Sequence, residues 1–310
     1  MRDTVIKTLI ELGKKDKEIE LITGDLGFGV LKPFWETLPD QFINAGIAEQ
    51  NMTGVAAGLA LEGKKVFTYS IGNFPTLRCL EQIRNDCAYH NANVNVICVG
   101  GGYVYGSLGM SHHATEDIAC LRALPEVTVI CPGDPLEAKL ATEVIANTEG
   151  TTYLRLGRGG EKVVNNSIKE FVIGKAYKIR DAKDMPKKVA IFSTGAILEE
   201  TAKARDMLEE QGIAVEQYSF PTVKPIDIEV ITDCAKRFDN IFSVEEHNIQ
   251  GGFGSAVAEV LCECDGNAKL HRIGIDDFYC IEVGSQSYLR EQVGINANSI
   301  VDRVKGVIGE

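Results

Sequence analysis

One acidic residue stands at the head of a small, apolar run, "GIAEQNMTGVAAGLALEG", in which Glu49 is the only ionisable side chain before Glu62. A carboxylate among Gly, Ala, Val, Leu and Met must be paired, solvated or neutralised. If a helix starts near Ala48, Glu49 falls in its first turn. Its charge then meets the positive end of the helix dipole, and Gly54, Ala57 and Gly58 provide close packing. If the carboxyl is buried instead, desolvation moves its pKa toward neutrality, where it exchanges protons with a ligand most effectively. The residue types leave both readings open.

A second concentration of ionisable groups is "SHHATED" (111–117), which follows the Gly-rich "GGGYVYGSLGM" and holds two of the five histidines. Adjacent histidines lack the i,i+4 spacing that sets two of them on one helix face for zinc. No GxSxG turn supplies a nucleophilic serine. Their plain reading is a solvated surface pair. "TGDLGFG" (23–29) and "GGFGS" (251–255) fit neither the dinucleotide nor the P-loop pattern, so their glycines read as close-approach turns.

These residues need a scaffold, and 310 residues allow two domains of ordinary size. An apolar share of 45% and a charged share of 25% describe an ordinary globular chain. The net charge of −12 argues against nucleic acid or an anionic membrane surface as partner. No run reaches transmembrane length and the N-terminal segment has no secretory core. The nine cysteines form no CxxC pair, which fits free thiols in a reducing cytoplasm better than disulfides or zinc.

Short β-branched runs alternate with helix-period segments, the α/β signature. Strands are expected at "IELIT" (19–23), "KVFTY" (65–69), "VNVICV" (94–99), "VTVIC" (127–131) and "TYLRL" (152–156), with helices near 3–13, 48–61, 76–90 and 134–146. Asp3 is the candidate N-cap of the first helix. A Gly-, Arg- and Lys-rich linker then carries one strand, "FVIGKAYKI". A second alternating unit follows, built on "KVAIFSTG", "IAVEQYSF", "NIFSVEEH" and "KLHRIGI". The expectation is two three-layer α/β domains, 1–160 and 188–310, joined by a linker at 161–187, the second with a smaller parallel-type sheet.

The Glu49 segment resembles the glutamate segment of thiamine-diphosphate enzymes of the transketolase family. "YSIGNFPTLRCLEQIRNDCA", "GSLGMSHHATEDIACLRALPEVTVICPGDPLEA", "YLRLGRGG" and "SVEEHNIQGGFGSAVAEVL" resemble the family in the same order. The resemblance runs over essentially the whole chain, as a pyrimidine-binding domain followed by a C-terminal domain. It implies that Glu49 hydrogen-bonds a ring nitrogen of the aminopyrimidine, favouring the imino tautomer that takes the thiazolium C2 proton to give the ylide. It also implies that Phe74 stacks on the pyrimidine, with Ile71 where a second aromatic is frequent, and that Asp25 and Leu26 lie near the cofactor. Without it, Phe74 reads as a core aromatic, and Asp25 and Leu26 as a strand-to-loop cap.

On the substrate side, Arg2 and Arg158 match arginines that hold a sugar phosphate, and His112 matches a histidine that contacts the substrate near its reacting carbons. Three positions depart. Gly29 and Gly100 stand where the family has a phosphate-contacting serine and histidine, and Leu108 replaces an aspartate that reads a substrate hydroxyl, which alters selectivity. The family's other half carries a GDG…N segment for Mg²⁺ and the diphosphate, and this chain lacks it. The resemblance therefore implies an N-terminal transketolase subunit as partner, in an α2β2 assembly with the site between chains. The implied activity is transfer of a two-carbon ketol unit from a ketose or ketose phosphate donor to an aldose acceptor. A 2-oxo-acid dehydrogenase β subunit, a deoxyxylulose-phosphate-synthase-like enzyme and a non-catalytic subunit stay as alternatives.

Overall fold

The computed structural model describes residues 1–309. The first part of the chain runs α1 (Arg2–Gly13), β1 (Ile19–Thr23), α2 (Phe28–Thr37), β2 (Phe42–Asn44), α3 (Glu49–Leu61), β3 (Lys65–Ile71), α4 (Leu80–Gln82), β4 (Val94–Val99), α5 (Asp117–Arg122), β5 (Val127–Ile130), α6 (Pro135–Ile145) and β6 (Thr151–Leu156). The second runs β7 (Tyr177–Arg180), β8 (Lys187–Thr194), α7 (Leu198–Glu210), β9 (Ile213–Ser219), β10 (Thr222–Lys224), α8 (Ile228–Arg237), β11 (Asn240–Asn248), α9 (Phe253–Glu263), β12 (Lys269–Ile275), α10 (Gln286–Gln292) and α11 (Ala297–Ile308).

Two sheets result, ordered β10-β5-β6-β4-β3-β1-β2 and β12-β11-β8-β9-β7. In the first, β1 to β6 pair in parallel, and β1, β4 and β6 are buried along their whole length. That is why they read as unbroken apolar runs. In the second, β12, β11, β8 and β9 are parallel and β7 adds an antiparallel edge. The two-domain α/β expectation is met.

The details depart in four places. Met1, not Asp3, takes the cap position of α1, and Asp3 sits in the first turn with its carboxylate on Arg2. The linker strand is confined to β7, because Phe171 and Ile173 pack into the first core and Gly174 turns the chain at φ 87°. The helix expected at 76–90 is a 3₁₀ turn (Leu77–Cys79), α4 and a π segment (Ile83–Ala88), with Tyr89 N–H reaching the Arg84 carbonyl at 3.1 Å. On α3, Ala57 is buried, but Cβ positions at Gly54 and Gly58 would meet nothing within 4 Å. A side chain at either position would point away from the other described residues.

The short strand β10 crosses from the second unit to pair antiparallel with β5. A buried polar clasp joins the units more firmly. Arg155, at the end of β6, donates from Nε to Asp117 at 2.6 Å and from Nη2 to the carbonyls of Ala114 (2.8 Å) and Glu246 (3.0 Å). His247 is fully buried beside this pair, with Nδ1 2.7 Å from the Asn248 carbonyl and Nε2 receiving the Ala119 N–H at 3.3 Å.

Burial pushes the His247 imidazole down to about 4, against the pull of Asp117, while Arg155 adds to the depression. A depressed folded-state value means that its contribution to stability is complete above about pH 6.5 and is lost as pH falls through about 4. Urea unfolding from pH 7 to pH 4 is therefore expected to show less acid destabilisation in His247→Gln, by on the order of 3 kcal/mol. Parallel pH profiles for the two proteins would disprove this role.

Candidate functional site

Glu49 is the first residue of α3 and is 4% exposed. Thr53 donates its hydroxyl to the Glu49 carbonyl at 2.9 Å, fixing the first turn. The side chain runs against the "TGDLG" loop so closely that a Cβ at Gly24 would lie 3.3 Å from Glu49 Cγ. Its Oε2 accepts a hydrogen bond from Arg78 Nη1 at 2.8 Å, whereas Oε1 accepts none among the described residues. Arg78 also lies over the face of Phe74, with Cζ 4.5 Å from the ring centroid. Arg78 was not foreseen from the sequence. Its only signal there is a cation four residues after Phe74 in a largely apolar stretch.

The Phe74 ring meets the edge of His112, with centroids 5.2 Å apart at 67°. His112 in turn faces Tyr105 at 6.5 Å, and Arg158 lies over Tyr105 with Cζ 5.5 Å from its centroid. Glu49, Phe74, His112 and Arg158 thus belong to one continuous line of contacts, with Arg78 and Tyr105 as the members not foreseen. Arg2 is within electrostatic reach of Tyr69 and Tyr105, although its Nε donates to Asp3 at 2.9 Å.

The line depends on two loops crossing tightly. Gly72 has φ +48°, and a Cβ there would lie 2.9 Å from the His112 carbonyl oxygen. Only glycine allows both the turn and the approach. Asn73 Nδ2 donates to the His113 carbonyl across the same crossing. The histidine pair is not a solvated surface pair. His113 is buried edge-on against Tyr103, and burial lowers its pKa, while His112 is half-buried with Nδ1 3.0 Å from Ser111 Oγ.

Asp25 sits at φ 56° and is held by Asn44, which donates from Nδ2 to its carboxylate at 2.9 Å and accepts its N–H at 3.1 Å. Leu26 and Ile71 pack on the same apolar cluster behind the loops. Of the three departures, Gly100 has a physical cause inside this chain, since a Cβ there would lie 2.4 Å from the Tyr105 ring. Gly29 has open space around it, and Leu108 is 54% exposed. The "GGFGS" turn already holds a carboxyl group of its own, whose pKa burial pushes up to about 7. Glu245 accepts the N–H groups of Phe253 (2.6 Å) and Gly254 (2.8 Å) at the start of α9. Among the described residues no group of three or more His, Cys, Asp or Glu side chains is placed to hold a metal ion.

Residues 1–160 match the transketolase pyrimidine-binding domain, and residues 174–300 match the transketolase C-terminal domain. The chain belongs to the transketolase family. It is 39% identical to a protein of Methanocaldococcus jannaschii described as a transketolase C-terminal section, over 98% of this chain and 95% of that one. It is 37% identical to one of the subunits of the apulose-4-phosphate transketolase of Phocaeicola vulgatus, over 89% and 87% of the two chains. A solved structure described as a split-gene transketolase in an inactive β4 tetramer superposes with a TM-score of 0.87 at 33% identity, covering 98% of this chain and 96% of its own.

In this transketolase-family chain the gap between Glu49 and Phe74 accommodates a flat group bearing N–H donors, because the Arg78 guanidinium lies in it. One carboxylate oxygen stays open beside it, and an aromatic face lies on the other side. Those features suit an aminopyrimidine ring.

Gly72→Ala is expected to cost about 1–2 kcal/mol for its left-handed backbone alone, and more through the approach to His112. Thermal unfolding checks the loss. A fully stable variant would mean that the crossing is looser than described.

Proposed function

We propose that this chain is the C-terminal subunit of a split transketolase that transfers a two-carbon ketol unit from a ketose or ketose phosphate donor to an aldose acceptor. The observation that carries the reading is the meeting of the buried Glu49 carboxylate, the Phe74 face and the His112 ring in one transketolase pyrimidine-binding domain. Thiamine diphosphate, when bound, supplies the carbanion chemistry.

The chain's own residues have separate tasks. Glu49 shares a proton with a pyrimidine ring nitrogen from a carboxyl that is shielded from water. Phe74 fixes the plane of that ring, and Asp25, Leu26 and Ile71 shape the wall beside it. His112, oriented by Phe74 and Ser111, hydrogen-bonds the donor's hydroxyls near the reacting carbons. Arg158 and Arg2 receive the phosphate.

Mg²⁺ and the diphosphate are assigned to an N-terminal partner subunit in an α2β2 heterotetramer. The outward Gly54 and Gly58 of α3, and Ile47 at 80% exposure, suit a closely packed partner surface. The apulose-4-phosphate relative, together with Gly29 and Leu108, supports a ketose phosphate other than the ordinary pentose phosphates. A cytoplasmic location suits the nine unpaired cysteines; among the described residues no helix is long and apolar enough to cross a membrane.

The test is turnover of a ketose phosphate panel by the purified pair of subunits. This chain alone is expected to be inactive, and robust turnover by it in isolation would refute the divided site. In the pair, Glu49→Gln is expected to lower kcat by about 100-fold or more. Full activity in that variant would remove Glu49 from the proton path.

A further inference from the structure

We propose that Arg78 is a placeholder for the aminopyrimidine. In the lone subunit its guanidinium takes the ring's place against Glu49 and Phe74, and it must leave when the cofactor enters. The inference rests on the preceding reading of Glu49 and Phe74 as the ring's partners.

A guanidinium is flat, stacks on aromatic faces and presents N–H donors in its plane, and an aminopyrimidine shares these three properties. Arg78 uses all of them at once. Nη1 donates to Glu49 Oε2 at 2.8 Å while Cζ lies 4.5 Å from the Phe74 centroid. A ring stacked on that face needs the same layer of space, since stacked centroids lie about 4.5–7 Å apart. The two groups therefore exclude each other between Glu49 and Phe74.

The contact has the form of a reversible guard. Glu49 has a side chain only 5% exposed, and without Arg78 it would be an unpaired buried charge. Arg78 itself has a side chain 47% exposed, and the bond to Glu49 is its sole side-chain hydrogen bond among the described residues. Its own head group has solvent to return to, and the cost of its leaving falls on Glu49 until the ring takes its place. Arg155 shows the contrast: it is 5% exposed and tied to Asp117 and two carbonyls, as a structural arginine should be. Chemistry also requires the exchange. A carboxylate locked to a guanidinium, which does not release its proton, has none to share with a ring nitrogen.

The experiment is calorimetric titration of thiamine diphosphate, with Mg²⁺ present, into the complex of this chain with its N-terminal subunit. Removing a competing intramolecular occupant raises the fraction of binding-competent sites, so Arg78→Ala is expected to bind roughly tenfold more tightly than wild type. Arg78→Lys, which keeps the charge and loses the plane, should fall between the two. Millimolar methylguanidinium should weaken binding to Arg78→Ala and restore the wild-type value, a response that a merely structural arginine would not give. Unchanged or weaker binding in Arg78→Ala overturns the placeholder. Glu49→Gln provides the separate control. If it weakens binding while Arg78→Ala brings no gain, the placeholder fails and the cofactor site stands. If Glu49→Gln leaves binding unchanged, the cofactor reading fails and the placeholder falls with it.

Discussion

The buried pair of Arg155 and Asp117 is the constraint on which the rest of the molecule depends. Arg155 reaches from the end of β6 to Asp117 at the start of α5, to the Ala114 carbonyl just after the histidine pair, and to the Glu246 carbonyl in β11. One guanidinium thereby sets the first sheet, the His112 loop and the second unit relative to each other. Removing one partner of such a pair strands a buried charge, at about 3–5 kcal/mol. Glu246 continues the network, accepting the Tyr103 N–H at 2.9 Å and Arg290 at 2.6 Å. Tyr103 packs on His113, so the loop bearing His112 is braced from both units.

What the sequence made legible follows burial. The central strands are enclosed on both faces, so their identity is written as continuous β-branched runs, and their positions agree with the structure to within one or two residues. The strands missed, β2 and β10, are three residues each and exist only because a sheet edge is there to receive them. "FVIGKAYKI" has the composition of a strand, but its first half finds a better place for Phe171 and Ile173 in the first core. The first helix begins a turn's fraction early because Met1 supplies the cap position, which left Asp3 without the role that its type favours.

The site divides along the same physical line. Glu49 stood out because a carboxylate in an apolar run demands a reason. Phe74 did not stand out, since an aromatic before a helix is ordinary, and only the family resemblance marked it. Arg78 was invisible because an arginine on a helical stretch normally faces water, and what makes it different is its contact across to α3. His113 was misjudged with its neighbour because adjacency in sequence says nothing about which of two side chains turns inward. Gly100 shows how a departure from a family can have a local cause, since the Tyr105 ring fills the space that a side chain would need.

A site divided between polypeptides meets a difficulty that a single-chain enzyme avoids. Each half must fold before the other arrives, with its reactive groups already in position. For a polar hydroxyl or an exposed arginine this costs little, and Arg158 waits in solvent over Tyr105. For a carboxylate placed where water is scarce the cost is large, because its charge needs a partner from the moment that the chain folds. In the proposed divided site, moving Glu49 to the surface would solve the folding problem and remove the shielding that its proposed proton sharing requires. Lending it a cation from its own chain solves both, provided that the cation is held by one bond and one ring face and has solvent to return to. Arg78 meets those conditions, and the same geometry that stabilises the lone subunit shapes the gap to the outline of a flat, N–H-bearing ring.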